Sequence, residues 1–161
     1  MANSSDRTVG NAPVHTAEVH VRWSDFDRFG HLNNAAYIEL AQEARNIFAL
    51  EEFIGRGHEV PAVFIRRLDA NYVSPILPDT STVVVETRVT RIGRTSFTTS
   101  QSIIDRHGTV ACVIECVQIA VDLKTATPRS ITANELKILN RAAGTESAVE
   151  PDTEQEEAGR E

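Results

Sequence analysis

The sequence predicts an α+β fold in which one long helix is covered by an antiparallel sheet of about five strands. Two observations predict it. A single stretch, NNAAYIELAQEARNIFAL (33–50), carries a sustained helical apolar period, and four strand-like segments then follow one another through short turns. Strands never alternate with helices here, which excludes a doubly wound parallel sheet, and one apolar helix must instead be covered by a sheet.

Taken in order, VHTAEVHVRW (14–23) alternates as a strand, with Val19, Val21 and Trp23 on one face. A polar loop follows. The helix begins at Asn33 or Asn34, either of which is a good N-cap, and its apolar stripe is Tyr37, Leu40, Ala41, Ala44, Ile47 and Phe48. After GRGHEVP come VPAVFIRRLDANYV (60–73), a turn at SPILPDT, and STVVVETRVTRI (81–92). TSFTTSQSIIDR and TVACVIECVQIAVD follow after Gly93 and Gly108, so three long strands form an antiparallel meander. ITANELKILN, just past Pro128, predicts a short closing helix.

The 161 residues, 41% hydrophobic, suffice for one domain with a real core. The expected division is a flexible segment 1–12, a folded domain 13–142 and a disordered acidic tail 143–161. Residues 144–161 hold seven acids and one arginine, so they carry −6 of the net −7 and leave the body near neutrality. Few large apolar groups in that ending could offset its ordering entropy. Arginines of the body are scattered among acids without forming a stripe, which argues against duplex nucleic acid as a partner. No secretory leader or 18-residue apolar run is present, so a cytoplasmic protein without a membrane partner is expected. Cys112 and Cys116 lie four apart on one strand, about 13 Å between Cα atoms, too far for a disulfide. They are expected as buried thiols of a reducing compartment.

The chemistry concentrates in SDFDRFGHLNNAAY (24–37). Asp25, Asp27 and Gly30 resemble the opening of a calcium loop, but its fifth position would be Phe29 and its twelfth Ala36, neither of which supplies the required side-chain oxygen. Asp25, Asp27 and His31 lack the spacing of a strong zinc motif, so no metal is expected. There is no G-x-S-x-G elbow and no Gly-Lys-Ser/Thr phosphate loop. What remains is a carboxylate beside a helix start, where unpaired N–H groups and the dipole favour developing negative charge on a carbonyl under attack. Such a carboxylate could attack the carbonyl or activate water, given a good leaving group such as a thiolate. Simple capping accounts for the same residues, and composition does not choose between the two.

Residues 22–37, RWSDFDRFGHLNNAAY, resemble the entry motif of hot-dog-fold thioesterases of the 4-hydroxybenzoyl-CoA thioesterase type. LDANYVSPILPDTSTVVVETRV resembles the family's strand-turn-strand segment, with Pro78-Asp79 where Gly-Asp is more usual, and RIGRTSFTTSQSI and VQIAVDLKTATPRSI resemble its later strands. The resemblance covers about residues 14–140. It implies a long helix wrapped by an antiparallel sheet, an acyl-CoA substrate, no metal or organic cofactor, and a homodimer or homotetramer with active sites between subunits. It places the catalytic carboxylate on Asp27, as nucleophile or general base, and the carbonyl-polarising backbone N–H near Asn34. His31 and Asn33 fall on the motif's H-x-N and would position water, substrate or Asp27, while Asp25 would brace the loop. Tyr37 is a packing residue or an acyl contact. Glu39 and Glu43 are lesser candidates, as other branches take their carboxylate from the helix. Arg66 and Arg94, with Ser96 in the same turn as Arg94, are candidate contacts to coenzyme A, whose phosphates favour arginine; solvated strand-edge arginines are the alternative. A non-catalytic acyl-CoA-binding module and a 3-hydroxyacyl-CoA dehydratase on the same scaffold are the competing functions.

Overall fold

The computed structural model describes residues 13–145. Strand β1 (His15–His20) leads through a 3₁₀ turn at Trp23–Asp25 into helix α1 (Asn34–Glu52). Then come β2 (Val63–Tyr72), β3 (Thr82–Ile92), β4 (Ser96–Ile104), β5 (Val110–Asp122), the two-residue β6 (Thr127–Pro128) and helix α2 (Ala133–Ala143). The sheet order is β1-β3-β4-β5-β2, antiparallel throughout, with β6 paired to β5. The fold is therefore α+β, a long helix held by an antiparallel sheet, the hot-dog architecture.

Helix α1 starts where Asn33 caps it, its side chain accepting from the Ala35 N–H at 3.0 Å. The stripe Tyr37, Leu40, Ala41, Ala44 and Phe48 is buried against the sheet, while Ile47 is half-buried. Ala36, Leu40, Ala41 and Ala44 meet Val19, Val83, Val85, Ile103 and Ile114 in one apolar cluster; Phe48 and Phe53 meet Val89, Phe97, Ile138 and Leu139 in a second, which α2 closes. A polar layer, Arg45, Thr87, Thr99 and Gln101, is buried as deeply as these clusters. Thr132 caps α2 reciprocally with Glu135.

Two expectations change. Trp23 does not continue the inward face of β1; it stands 90% exposed, because Arg22 and Asp25 lock the chain into the 3₁₀ turn. Helix α2 runs to Ala143 and stops at Gly144 (φ +70), so Ala143, the first residue assigned to the tail, is the last of the helix instead. The expected flexible segment 1–12 and the rest of the acidic tail lie outside the described residues. Among the described residues no helix is long and apolar enough to cross a membrane.

Candidate active site

The loop between the 3₁₀ turn and α1 is folded on itself by its own carboxylates. Asp25, buried, takes the Arg22 N–H on Oδ2 at 2.8 Å and the Arg22 guanidinium on Oδ1 at 2.8 Å. Burial alone would raise its pKa, but the Arg22 hydrogen bonds and charge outweigh it and hold the carboxyl below its ordinary value. The Asp25 carbonyl in turn accepts from the Asn33 N–H at 2.8 Å, which sets the cap residue in place. Asp25 thus braces the loop, as expected.

Asp27 is exposed, and its Oδ1 accepts from the N–H groups of Phe29 (2.8 Å) and His31 (3.1 Å). Its backbone N–H donates to the His31 carbonyl at 2.8 Å and its carbonyl accepts from Gly30 at 3.1 Å. Gly30 takes φ +74 with open space where a Cβ would stand, so glycine is required there by backbone conformation and not by crowding. Oδ2 of Asp27 has no hydrogen-bond partner among the described residues. One oxygen orients the group and the other is left unengaged on an exposed residue.

At the helix start, Ala35 N–H is spent on the Asn33 side chain and Ala36 N–H on the Asn33 carbonyl. The Asn34 N–H, first of the helix, has no acceptor among the described residues. A cleft of about 200 Å³ opens beside it, lined by His31, Leu32, Asn34, Tyr37, Tyr72 and residues 73–75. Tyr37 is buried and accepts the Ile76 N–H on its hydroxyl at 3.1 Å, so packing is its main contact, with one edge on the cleft. Asn33 is a cap in the first instance. Asp27 itself is not among the cleft's lining residues; it adjoins through His31.

On the opposite flank of α1 a second cleft, about 300 Å³, is lined by His20, Arg22, Asp25, Glu39 and Glu43. Glu39 lies 3.2 Å from the Arg22 guanidinium, so one of the two helix carboxylates is matched by an arginine.

Arg66, Arg94 and Ser96 are not brought to this loop within one chain. Ser96 pairs with Ile119 and Arg94 occupies the β3–β4 turn, whereas Tyr72 and Val110 mark the opposite end of the sheet, where α1 begins. Helix α1 alone spans about 28 Å between these ends. Arg66 is exposed at an irregularity in the β2–β5 register. Among the described residues no group of three or more His, Cys, Asp or Glu side chains could hold a metal ion. Cys112 and Cys116 are buried free thiols, and burial pushes Cys112 up to about 11.

Sequence reasoning missed Arg22 and Tyr72. Arg22 is signalled only by its spacing of three from Asp25, and Tyr72 only as the aromatic that ends an alternating strand.

The model of the Thioesterase-like superfamily matches residues 21–150. No curated protein matches the chain. Among solved structures, a predicted thioesterase from Bacillus stearothermophilus is 23% identical, with TM-score 0.72, covering 84% of this chain and all of that one. A thioesterase from Thermus thermophilus complexed with coenzyme A and zinc is 23% identical, TM-score 0.68, with 80% of this chain and 94% of that one covered. A DHNA-CoA thioesterase from Staphylococcus aureus is 18% identical, TM-score 0.64, with 73% and 80% covered. With a family model matched over most of its length and the same wrapped-helix fold as these structures, the chain belongs to the thioesterase-like superfamily and carries its hot-dog fold.

Proposed function

We propose that the protein hydrolyses an acyl-CoA thioester to the free acid and coenzyme A, with Asp27 as the carboxylate that drives the reaction. The observation that carries this reading is an exposed Asp27 carboxylate, held on one oxygen by the Phe29 and His31 N–H groups, in the same short loop as a helix-start N–H at Asn34 that has no acceptor among the described residues. The Asn34 N–H stabilises charge on the thioester oxygen, the more so because its helix adds its dipole. Asp27 Oδ2 either attacks the carbonyl carbon, giving an anhydride that water then opens, or takes a proton from the attacking water. In both routes the thiolate of coenzyme A departs without a strong acid beside it. His31 lines the cleft and supports a role in holding water or substrate; Asn33, through its side-chain amide, is a further contact.

The working form is a homodimer or a dimer of dimers. Edge strand β2 supports this, since Phe64 and Ile65 are 47% and 48% exposed on a ten-residue strand with one neighbour in the sheet. A second copy would also be the means by which Arg66, Arg94 and Ser96 meet a bound coenzyme A. Two buried thiols support a reducing compartment, the cytoplasm.

The test is release of free thiol from a panel of aromatic, short and long acyl-CoA substrates, read with a thiol-reactive dye. Wild-type protein is expected to release thiol, and Asp27→Asn to lower turnover by at least about a hundred-fold. Saturable acyl-CoA binding without thiol release would replace this reading with a binding module, and loss of water from 3-hydroxyacyl-CoA would replace it with a dehydratase.

A further inference from the structure

The hydroxyl of Tyr72, at the end of β2, donates to the Asn34 carbonyl at 2.9 Å, across 38 residues of chain. That carbonyl belongs to the same peptide unit as the Ala35 N–H, which donates to the Asn33 side-chain oxygen at 3.0 Å. The three groups form a continuous chain in which each hydrogen bond polarises the next: Tyr72 hydroxyl, Asn34–Ala35 peptide, Asn33 amide oxygen. The arrangement consumes the Ala35 N–H and fixes the Asn33 amide with its oxygen inward. The Asn34 N–H, on the preceding peptide, is the helix-start donor left without an acceptor among the described residues.

Tyr72 is itself held. Its ring meets Tyr37 edge-on, with centroids 5.2 Å apart and an interplanar angle of 78°, and Tyr37 is buried and pinned by the Ile76 N–H. The Tyr72 hydroxyl keeps the proton it donates, as any phenol does near neutral pH, and partial burial pushes its pKa further up. Both tyrosines line the cleft beside Asn34. The Leu32 N–H on the Ile76 carbonyl, at 2.9 Å, adds a second tie between this loop and the helix entry.

We propose that Tyr72 is a positioning residue for the hydrolysis, a strut from the sheet edge that holds the first turn of α1 so that the Asn34 N–H is aimed at the thioester oxygen. This rests on the reading of Asn34 as the donor to that oxygen. The strut also starts on strand β2, so a second copy lying along β2 would press on the residue that sets the donor's aim.

The experiment is Tyr72→Phe, which keeps the ring and its packing on Tyr37 and removes only the hydroxyl. Two signals are read on the full chain: the backbone amide of Ala35 by ¹H–¹⁵N NMR with hydrogen exchange, and kcat against KM for thiol release. Loss of the strut is expected to shift the Ala35 amide, speed its exchange, and lower kcat about five- to ten-fold, with KM unchanged and the melting temperature down by about 2 °C, too little to lower the folded fraction at assay temperature. An Ala35 amide that keeps its position and exchange rate overturns the proposal. So does a shifted amide with kcat within two-fold of wild type, or a fall in kcat matched by a fall in the folded fraction. A wild-type protein that releases no thiol from any acyl-CoA sinks the hydrolase reading instead, and the Ala35 amide then decides the strut by itself.

Discussion

Asp27 and His31 hold each other through two backbone contacts of opposite sense: the Asp27 N–H donates to the His31 carbonyl at 2.8 Å, and the His31 N–H donates to Asp27 Oδ1 at 3.1 Å. The carboxylate therefore has a structural and a chemical task on different oxygens, and substitutions separate them. Asn preserves an acceptor for the loop N–H groups of Phe29 and His31; Ala removes it. Asp27→Ala is expected to melt about 4 °C below wild type, as two N–H groups lose their acceptor, and Asp27→Asn within about 2 °C of it. Differential scanning fluorimetry on the pair checks this. Equal melting losses would mean that Oδ1 contributes nothing to the loop.

The Arg22–Asp25 lock sets an acid limit on stability. Asp25 has a folded pKa below its unfolded value of about 3.9, so its contribution is fully present above about pH 4 and is lost as pH falls through the lower folded value. Asp25→Asn removes that linkage. The variant is expected to be less stable than wild type at pH 7, with the gap closing toward pH 2. Urea midpoints measured across this range check it; a gap that stays constant with pH would show that Asp25 acts by shape alone.

Arg45 is 6% exposed on the inner face of α1, and its hydrogen-bond partner is the neutral Gln101, whose Oε1 lies 2.8 Å from Nη1. Gln101 also donates to the Ala41 carbonyl at 2.9 Å and to Thr87 Oγ1 at 3.1 Å, so it is the hub of the buried polar layer. Burial pushes the Arg45 pKa down, a sign of the cost of its charge there. Gln101→Leu leaves a buried cation without its acceptor and is expected to cost about 3 kcal/mol, while Arg45→Met removes the cation and costs about 1 kcal/mol. Chemical denaturation ranks the two, and the reverse order would contradict this account.

If β2 is the edge along which copies meet, a charge placed on it breaks the assembly. Ile65→Lys is expected to sediment as a monomer where wild type sediments as a dimer or larger, and to lose most thiol release while keeping its circular dichroism spectrum. An active monomer would show that one chain holds the whole site.

By itself, the sequence determined what depends on neighbours a few residues away. The Asn33 cap, the apolar stripe of α1, the β3-β4-β5 meander with its short turns, and the closing helix after Pro128 all follow from caps, periods and turns, which act within one or two turns of chain. The loop's local bracing was legible for the same reason, because the hydrogen bonds of Asp25, Asp27 and Asn33 close within a few residues of chain.

Only the tertiary structure decided which distant groups meet. It set β1 against β3 instead of its chain neighbours, and carried Tyr72 to Asn34. It buried Arg45, which sits one turn beyond Ala41 on the stripe but which its charge disguised as a surface residue. It placed Arg94 and Ser96 at the far end of the sheet from Asn34, where spacing along the chain gave no hint. These outcomes depend on pairing and burial between segments tens of residues apart, and local propensity carries no record of such encounters.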